Sequence, residues 1–572
     1  MDDLGPTRLG FADDKDVDAF IARLEAFERG DITADEWRAF RLVNGVYGQR
    51  QDGAMMIRAK IPGGIATPAQ LVALAELAER WAGGVGHVTT RQNVQLHFVA
   101  MAHVEDALRL LADAGITTRE ACGNSVRNVT VCPYAGVSAT EAFDATPYLE
   151  ALVRHLLRGP FSSTLPRKFK IAFSGCCGTD CALARINDLG FVQKVVDGRI
   201  GFAVVAGGGL STLRRSALTL EEFLPAEDVL EAAEAVVRVF HRIGNRNNKH
   251  KARLKWAIDK IGPEAFRAEY RGERDAIRAE GGRPLILPAQ PPAPPPSLPQ
   301  PTEPLPGFAA WADSNVRAQK QKGYAAVTVR VPLGALTSAQ MRALADVAGA
   351  GEGEVRLTVD QNVVVRWVPT WRLPLVHRDL AAVGLASPGA RTIADVVSCP
   401  GSSSCKIAVT ASRGLAGLLT EHLEAHPEVA ARARDLHIRI SGCPNGCGQH
   451  YIGGIGFQGG VRKIDGRAVP QYLVYLGGGV AADRAFFGRL AGKVPARYVP
   501  ATLDRLLALY EARRTPGEAP ELFFARVPLD EAKAAIKDLF ELDAARATPD
   551  DFIDIGETRA FVDEVTEGEC AA

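Results

Sequence analysis

The chain repeats itself once, and that repeat constrains the fold more than any single motif. Near the start, Arg58-Ala-Lys-Ile-Pro62-Gly63-Gly64 runs through Thr67-Pro-Ala-Gln70 into apolar residues at Leu71, Leu74, Leu77 and Trp81. That spacing is close to one helical turn and predicts an amphipathic helix. The stretch closes with Thr90-Arg91-Gln92-Asn93-Val94-Gln95-Leu96-His97, whose alternation predicts a strand. The second half carries Val331-Pro332-Leu-Gly334, then Thr337-Ser-Ala-Gln340, then Met341, Leu344 and Val347, and closes with Asp360-Gln361-Asn362-Val363. Further on, Asn128-Val-Thr-Val-Cys132-Pro133 answers to Asp395-Val-Val-Ser-Cys399-Pro400, Ser174-Gly-Cys176 to Ser441-Gly-Cys443, and Gly190-Phe191 to Gly456-Phe457. Anchors in one order, with a separation that drifts only slowly, mean two diverged copies of one unit. Each copy reads as a strand–helix–strand piece followed by an α/β piece.

Between the copies, Pro284 to Pro306 holds 11 prolines in 23 residues. Such a stretch cannot pair in a sheet and favours an extended linker. With 67 basic and 67 acidic residues the net charge is zero, so no global field draws the chain to nucleic acid or to an anionic membrane. No apolar run is long enough to span a bilayer. The acidic start Met1-Asp2-Asp3-Leu4 lacks the basic and apolar regions of a secretory signal. Ten cysteines in 572 residues are too dilute for a disulfide scaffold, and their clustering points to metal ligation in a reducing compartment. The expectation is a soluble, cytoplasmic protein. Gly207-Gly208-Gly209 lacks the spacing of a dinucleotide fingerprint.

The sharpest chemical signal is Cys399-Pro-Gly-Ser-Ser-Ser-Cys405 followed, after 37 residues, by Cys443-Pro-Asn-Gly-Cys447. Both pairs sit in turn-forming loops whose backbone amides can donate to sulfur. Four such thiolates can hold zinc or a [4Fe–4S] cluster, and the five-residue loop tilts the choice towards the larger group. The first copy keeps Cys132 and then Cys176-Cys177-Gly-Thr-Asp-Cys181, with Tyr134 to Ser138 where the second thiol would stand. It reads as a degenerate copy, with a second cluster there as the alternative.

The motifs SCPGSSSC and SGCPNGCGQH resemble the signature of the sulfite/nitrite reductase hemoprotein family, and the likeness extends over nearly the whole chain. It implies that Cys399, Cys405, Cys443 and Cys447 hold [4Fe–4S] and that Cys447 also bridges to the iron of siroheme. Arg91 in TTRQNVQLH, Arg127 in CGNSVRNV, and Lys168 and Lys170 in PRKFK would each, alone, pass for a surface charge. Together they resemble the family's two arginines and two lysines above the distal face of siroheme. Such a set suits the substrate, since guanidinium forks grip oxyanion oxygens and ammonium groups add charge and protons. Siroheme is rich in carboxylates, and the basic run Gly244 to Lys255 resembles the family's cofactor-lining segment, with a solvated helical face as the competing reading. It offers Arg246, Asn248, Lys249 and Arg253, with Arg58 and Asn128 as further cofactor candidates. Cys122 stands where some relatives form a Tyr–Cys crosslink, but no tyrosine partner is evident by position.

The resemblance implies an α/β (α+β) fold: two pseudo-symmetric copies of a ferredoxin-like half-domain, each joined to an α/β siroheme-reductase lobe. The expected order is an N-terminal segment (1–49), half-domain copy 1 (50–115), lobe 1 with the distal cations (116–280), the Pro-rich linker (281–319), half-domain copy 2 (320–380), lobe 2 with the cluster cysteines (381–540) and a loosely docked acidic tail (541–572). The expected reaction is six-electron reduction of sulfite to sulfide. Nitrite-preferring relatives tend to carry asparagine at the position of Lys170, so nitrite to ammonia is the alternative. Electrons would come from a ferredoxin or a flavoprotein reductase. A zinc- or cluster-stabilised module without reductase activity, or a siroheme-lacking relative, also remains open from the residues alone.

Overall fold

The computed structural model describes residues 8–176, 179–291, 294, 302–349, 351–565 and 568–569. Two five-stranded sheets form the centre of the molecule, and each borrows a strand from the other copy. In the first, Val46–Gly48, Ala54–Ala59, Val94–Ala100 and Val85–Val88 are joined by Ala335–Thr337 from the second half. In the other, Val316–Ala318, Tyr324–Val329, Val363–Pro369 and Val355–Leu357 are joined by Ile65–Ala66 from the first. The exchange makes one hydrophobic core of both copies, running from Leu71 and Leu74 through Val327 and Val365 to Leu344. The helix Pro68–Trp81 starts with a capping box between Thr67 and Gln70. Its counterpart Ser338–Ala348 starts with the same box between Thr337 and Gln340. Each box satisfies two of the amides that a helix start leaves orphaned.

The two lobes also share a plan. In the first, Val126–Val131, Phe169–Ser174 and Leu189–Val196 run parallel, and Arg199–Ala206 and Leu218–Pro225 extend the sheet antiparallel. In the second, Val397–Ser398, Ile438–Ser441 and Ile455–Ile464 are parallel and Arg467–Leu476 and Arg489–Pro495 antiparallel. Left-handed backbone recurs at matching places: Gln92 and Gln361, Phe98 and Trp367, Leu183 and Gln449, Asp197 and Asp465. Side chains rarely adopt this conformation, so its repetition at non-glycine positions is strong evidence for duplication.

Two features differ from the sequence reading. Residues 90–93 form the turn before the strand Val94–Ala100; the left-handed Gln92 breaks the alternation there, so Arg91 leaves the sheet. In the N-terminal segment, helices Asp14–Glu28 and Ala34–Val43 bury Phe20 and Trp37 in the central core. The acidic tail is packed down. Phe552 joins Ile464 and Val469, Asp554 accepts the Ala411 amide at 2.7 Å, and Glu569 pairs with Arg41 and accepts the Gly48 amide at 2.7 Å. Asp554 and Glu569 thus meet partners far away in sequence. The described part of the Pro-rich linker lies on the protein surface, with Gln290 on Glu150 and Pro294 accepting from Tyr324; residues 292–293 and 295–301 of it lie outside the described residues.

Candidate active site

The cysteines of the second lobe sit just past the ends of its parallel strands. Cys399 follows Val397–Ser398, and Cys443 follows Ile438–Ser441. Close packing behind them requires glycine. A Cβ on Gly448 would lie 1.8 Å from the Ile440 carbonyl oxygen, and one on Gly401, itself left-handed, 2.5 Å from the Ser412 amide. The backbone can thus wrap the thiols: the Gly442 amide points at Cys399 Sγ at 3.4 Å, and Ser412 Oγ lies 3.3 Å from it. The first copy clamps the Cys405 loop from the other side. The Arg50 amide donates to the Ser404 carbonyl at 2.9 Å, and its guanidinium reaches the carbonyls of Cys405 and Ala408. Thr90 Oγ1 holds the carbonyl of Cys447 at 2.9 Å.

All four thiols, Cys399, Cys405, Cys443 and Cys447, line one cavity. It adjoins a second, and Arg58, Gln95, Lys168, Cys399 and Cys447 belong to both. Cys447 therefore stands at the junction. The second cavity gathers Arg91, Arg127, Lys168 and Lys170 with Arg58 and Asn128. The four distal cations and two of the cofactor candidates thus come together from four separate stretches of the first copy.

Each cation is held differently. Arg91 donates from Nη1 to Asn187 Oδ1 at 3.0 Å and from Nη2 to the Ile171 carbonyl at 3.1 Å, while its buried Nε lacks a protein partner. Asn128 donates to the carbonyls of Ile61 and Arg91 at 2.7 and 3.0 Å, so it fixes the turn that carries Arg91. Arg127 grips the Gly123 and Ala121 carbonyls. Lys170 gives its amide to Asp188 at 2.9 Å, and Arg253 forms a two-pronged pair with the same carboxylate. Burial, reinforced by Arg253, Arg91 and Lys168, pushes the Lys170 ammonium well below the usual lysine range. Burial also pulls Arg91 down to about 9, with Asp188 working the other way. A pocket that discourages its own positive charges is one that an anion stabilises.

Some candidates stand elsewhere. Arg246, Asn248 and Lys249 are exposed and line neither cavity; Arg246 is spent on the carbonyls of Thr164 and His241, and Asn248 caps the turn at His250. Arg253 reaches the site only through Asp188. Residues that sequence reasoning missed include His87, Gln95 and Gln361, which line the cationic cavity. The repeat around Gln92 and Gln361 was the signal that could have marked Gln361. Tyr47 was missed too: it lies 75 residues from Cys122 in sequence yet shares a small buried cluster with it, beside the cysteine cavity.

The donor set fits the groups that the motifs imply. Burial and the neighbouring thiols push Cys399 and Cys443 up, so four thiolates gathered there need positive charge among them, which an iron–sulfur cluster supplies. The adjoining cavity has the cations that a polycarboxylate macrocycle and a small anion both need. No helix among the described residues is long and apolar enough to cross a membrane.

Comparison with known proteins agrees. The nitrite and sulphite reductase 4Fe-4S domain matches residues 122–277 and 389–526, and the nitrite/sulfite reductase ferredoxin-like half domain matches 47–114 and 317–383. A ferredoxin–nitrite reductase of Synechococcus elongatus is 33% identical over 467 residues, 80% of this chain and 86% of its own length. An assimilatory ferredoxin-dependent nitrite reductase of Haloferax mediterranei is 31% identical over 547 residues, 88% of each chain. The solved structure of the Mycobacterium tuberculosis NirA protein superposes with a TM-score of 0.75 at 28% identity, covering 89% of this chain and 95% of that one. Duplicated half-domains, paired lobes and thiols beside a cationic cavity lead to one conclusion: the chain belongs to the siroheme- and [4Fe–4S]-containing nitrite and sulfite reductase family, whose members are oxidoreductases.

Proposed function

We propose that this protein reduces nitrite to ammonia with electrons from a ferredoxin. One observation carries the reading: a single cavity holds Arg91, Arg127, Lys168 and Lys170 and meets the cysteine cavity at Cys447. Relatives named as ferredoxin-dependent nitrite reductases support the substrate and the donor. Siroheme and the cluster, when bound, supply the electrons one at a time and the metal on which the anion is reduced. Cys399, Cys405, Cys443 and Cys447 would hold the cluster, and Cys447 also lines the adjoining cavity that would take the siroheme. Arg58, Arg127 and Lys168 are placed to meet cofactor carboxylates or substrate oxygens. Arg91 lines the cavity while its Nη groups anchor it. An anion entering the cavity favours the charged form of Lys170, whose ammonium can pass a proton to an oxygen leaving as water.

Reduction of sulfite to sulfide is the second reading, and Lys170 is the residue that favours it. Sulfite carries more charge and a third oxygen, so an additional cation aids its binding and dehydration. Purified holoenzyme assayed with nitrite and with sulfite, using one artificial donor, separates the two. A higher kcat/KM for nitrite supports the first reading, and a higher value for sulfite replaces it with the second. Assay with reduced ferredoxin against a flavoprotein reductase tests the donor in the same way.

A further inference from the structure

The first lobe has a second sulfur site that the redox chemistry leaves unused. The Sγ atoms of Cys132, Cys176 and Cys181 all lie within 4.8 Å of one another, and among the described residues no other such group of ligands converges this closely. Cys132 and Cys176 are 3.5 Å apart. A disulfide brings sulfurs to about 2.0 Å. Thiolates sharing one ion at about 2.3 Å in a tetrahedron sit about 3.8 Å apart. Thiolates at the corners of a [4Fe–4S] cube point outward and stand farther apart still. The spacing matches a single ion.

The pseudo-symmetry supplies the fourth vertex. Cys132, Cys176 and Cys181 answer to Cys399, Cys443 and Cys447, and Ser138 answers to Cys405. Ser138 Oγ lies 3.5 Å from Cys176 Sγ. The whole four-position site has therefore survived in the first lobe with one thiol exchanged for a hydroxyl. Its supports have survived as well: Cys132 follows the strand Val126–Val131, Cys176 follows Phe169–Ser174, and Ser174 Oγ lies 3.4 Å from Cys181 Sγ. Cys132 is buried and the other two are half-buried, so an ion there is shielded from competing ligands.

We propose that Cys132, Cys176 and Cys181, with the Ser138 hydroxyl or a water completing the tetrahedron, bind one zinc ion as a structural staple of the first lobe. Zinc suits three thiolates and an oxygen, and needs no oxidant or reductant. Binding releases up to three thiol protons to solvent as the zinc–sulfur bonds form, with no change of oxidation state. The staple ties the loop after the first parallel strand to the loop holding Asp180, which accepts the amides of Ala184 and Arg185. Asn187 and Asp188 follow directly, and these steady Arg91 and Lys170. One half of the ancestral site holds the redox cluster, and the other holds a redox-silent ion that keeps the cationic roof in place.

The test is metal analysis of holoenzyme purified without added zinc, reading zinc, iron and siroheme in one sample. The expected result is about one zinc per chain. In Cys176→Ser and Cys181→Ser zinc falls more than fivefold while siroheme absorbance stays within a factor of two. Should those variants fail to fold, the wild-type holoenzyme treated with a mercurial thiol reagent releases that zinc to a colorimetric chelator. Zinc below about a tenth of an equivalent overturns the proposal, as does a Cys132–Cys176 disulfide found by alkylation and mass spectrometry, or a different metal in the zinc's place. Siroheme and iron are read independently, so a failure here is distinguishable from a failure of the reductase reading.

Discussion

Gln92 and Gln361 make reciprocal bonds across the two halves of the molecule. Gln92 Nε2 donates to the Leu357 carbonyl of the second copy at 2.8 Å, and Gln361 Nε2 to the Val88 carbonyl of the first at 3.0 Å. Each also accepts one lobe amide through its side-chain oxygen: Gln92 from Val131 at 3.0 Å, Gln361 from Ser398 at 2.9 Å. Those amides immediately precede Cys132 and Cys399. The two side chains therefore set where each lobe's first cysteine stands relative to the central sheets. Replacing Gln361 by Ala leaves a buried donor and a buried acceptor unpaired, at a cost of about 3 kcal/mol. Calorimetry should show a lower Tm, and iron and sulfide analysis a loss of cluster. A variant with unchanged Tm and full cluster would contradict this role.

Lys170 lines the cationic cavity and is the residue on which the sulfite reading rests. Lys170→Asn should lower kcat/KM for sulfite by about tenfold, equivalent to about 1.4 kcal/mol of transition-state binding, and lower that for nitrite by less. Steady-state assays of both anions on wild type and variant check this. An equal loss for the two would remove Lys170 from specificity.

The exposed basic residues make a contrasting case. Arg246 and Lys249 line neither cavity, so Arg246→Ala and Lys249→Ala should each leave siroheme content and kcat within about twofold of wild type. Loss of the cofactor in either variant would restore the reading that the segment lines the macrocycle.

Asp554 makes the docking of the tail sensitive to pH. Burial raises its carboxyl from 3.8 to about 6, while the Ala411 and Ile555 amides it accepts pull the other way. The folded state thus holds this proton more tightly than the unfolded chain does. Its stabilising contribution is complete below about pH 4, fades as pH rises and is gone above about pH 6.5. Relative to Asp554→Asn, which cannot titrate, the wild type should lose about 2 kcal/mol between pH 4.5 and 7.5. The difference in Tm between the two proteins, followed across that range, gives the answer. A difference independent of pH would contradict it.

Much of this was legible in the sequence because duplication and metal ligation both write local patterns. The Cys399 and Cys443 loops, the capping boxes at Thr67 and Thr337 and the matched cysteines of the two lobes are short-range features. Lys168 and Lys170 could be placed together by alternation alone. What could not be read depends on long-range contact. The exchange of Ile65–Ala66 for Ala335–Thr337 leaves no local trace, and neither does Tyr47 beside Cys122 or Glu569 on Arg41. Arg246 and Lys249 are exposed and line neither cavity, because charge density in a sequence does not say which way a loop faces. Arg91 was assigned to a strand because a single left-handed residue, Gln92, interrupts an otherwise regular alternation.

The most direct test of the account is the absorption spectrum of anaerobically purified protein, with iron and acid-labile sulfide measured on the same sample. The account predicts a Soret band with a red-region siroheme band, about five irons and about four sulfides per chain. Protein with full zinc, no labile sulfide and no macrocycle absorption would contradict it.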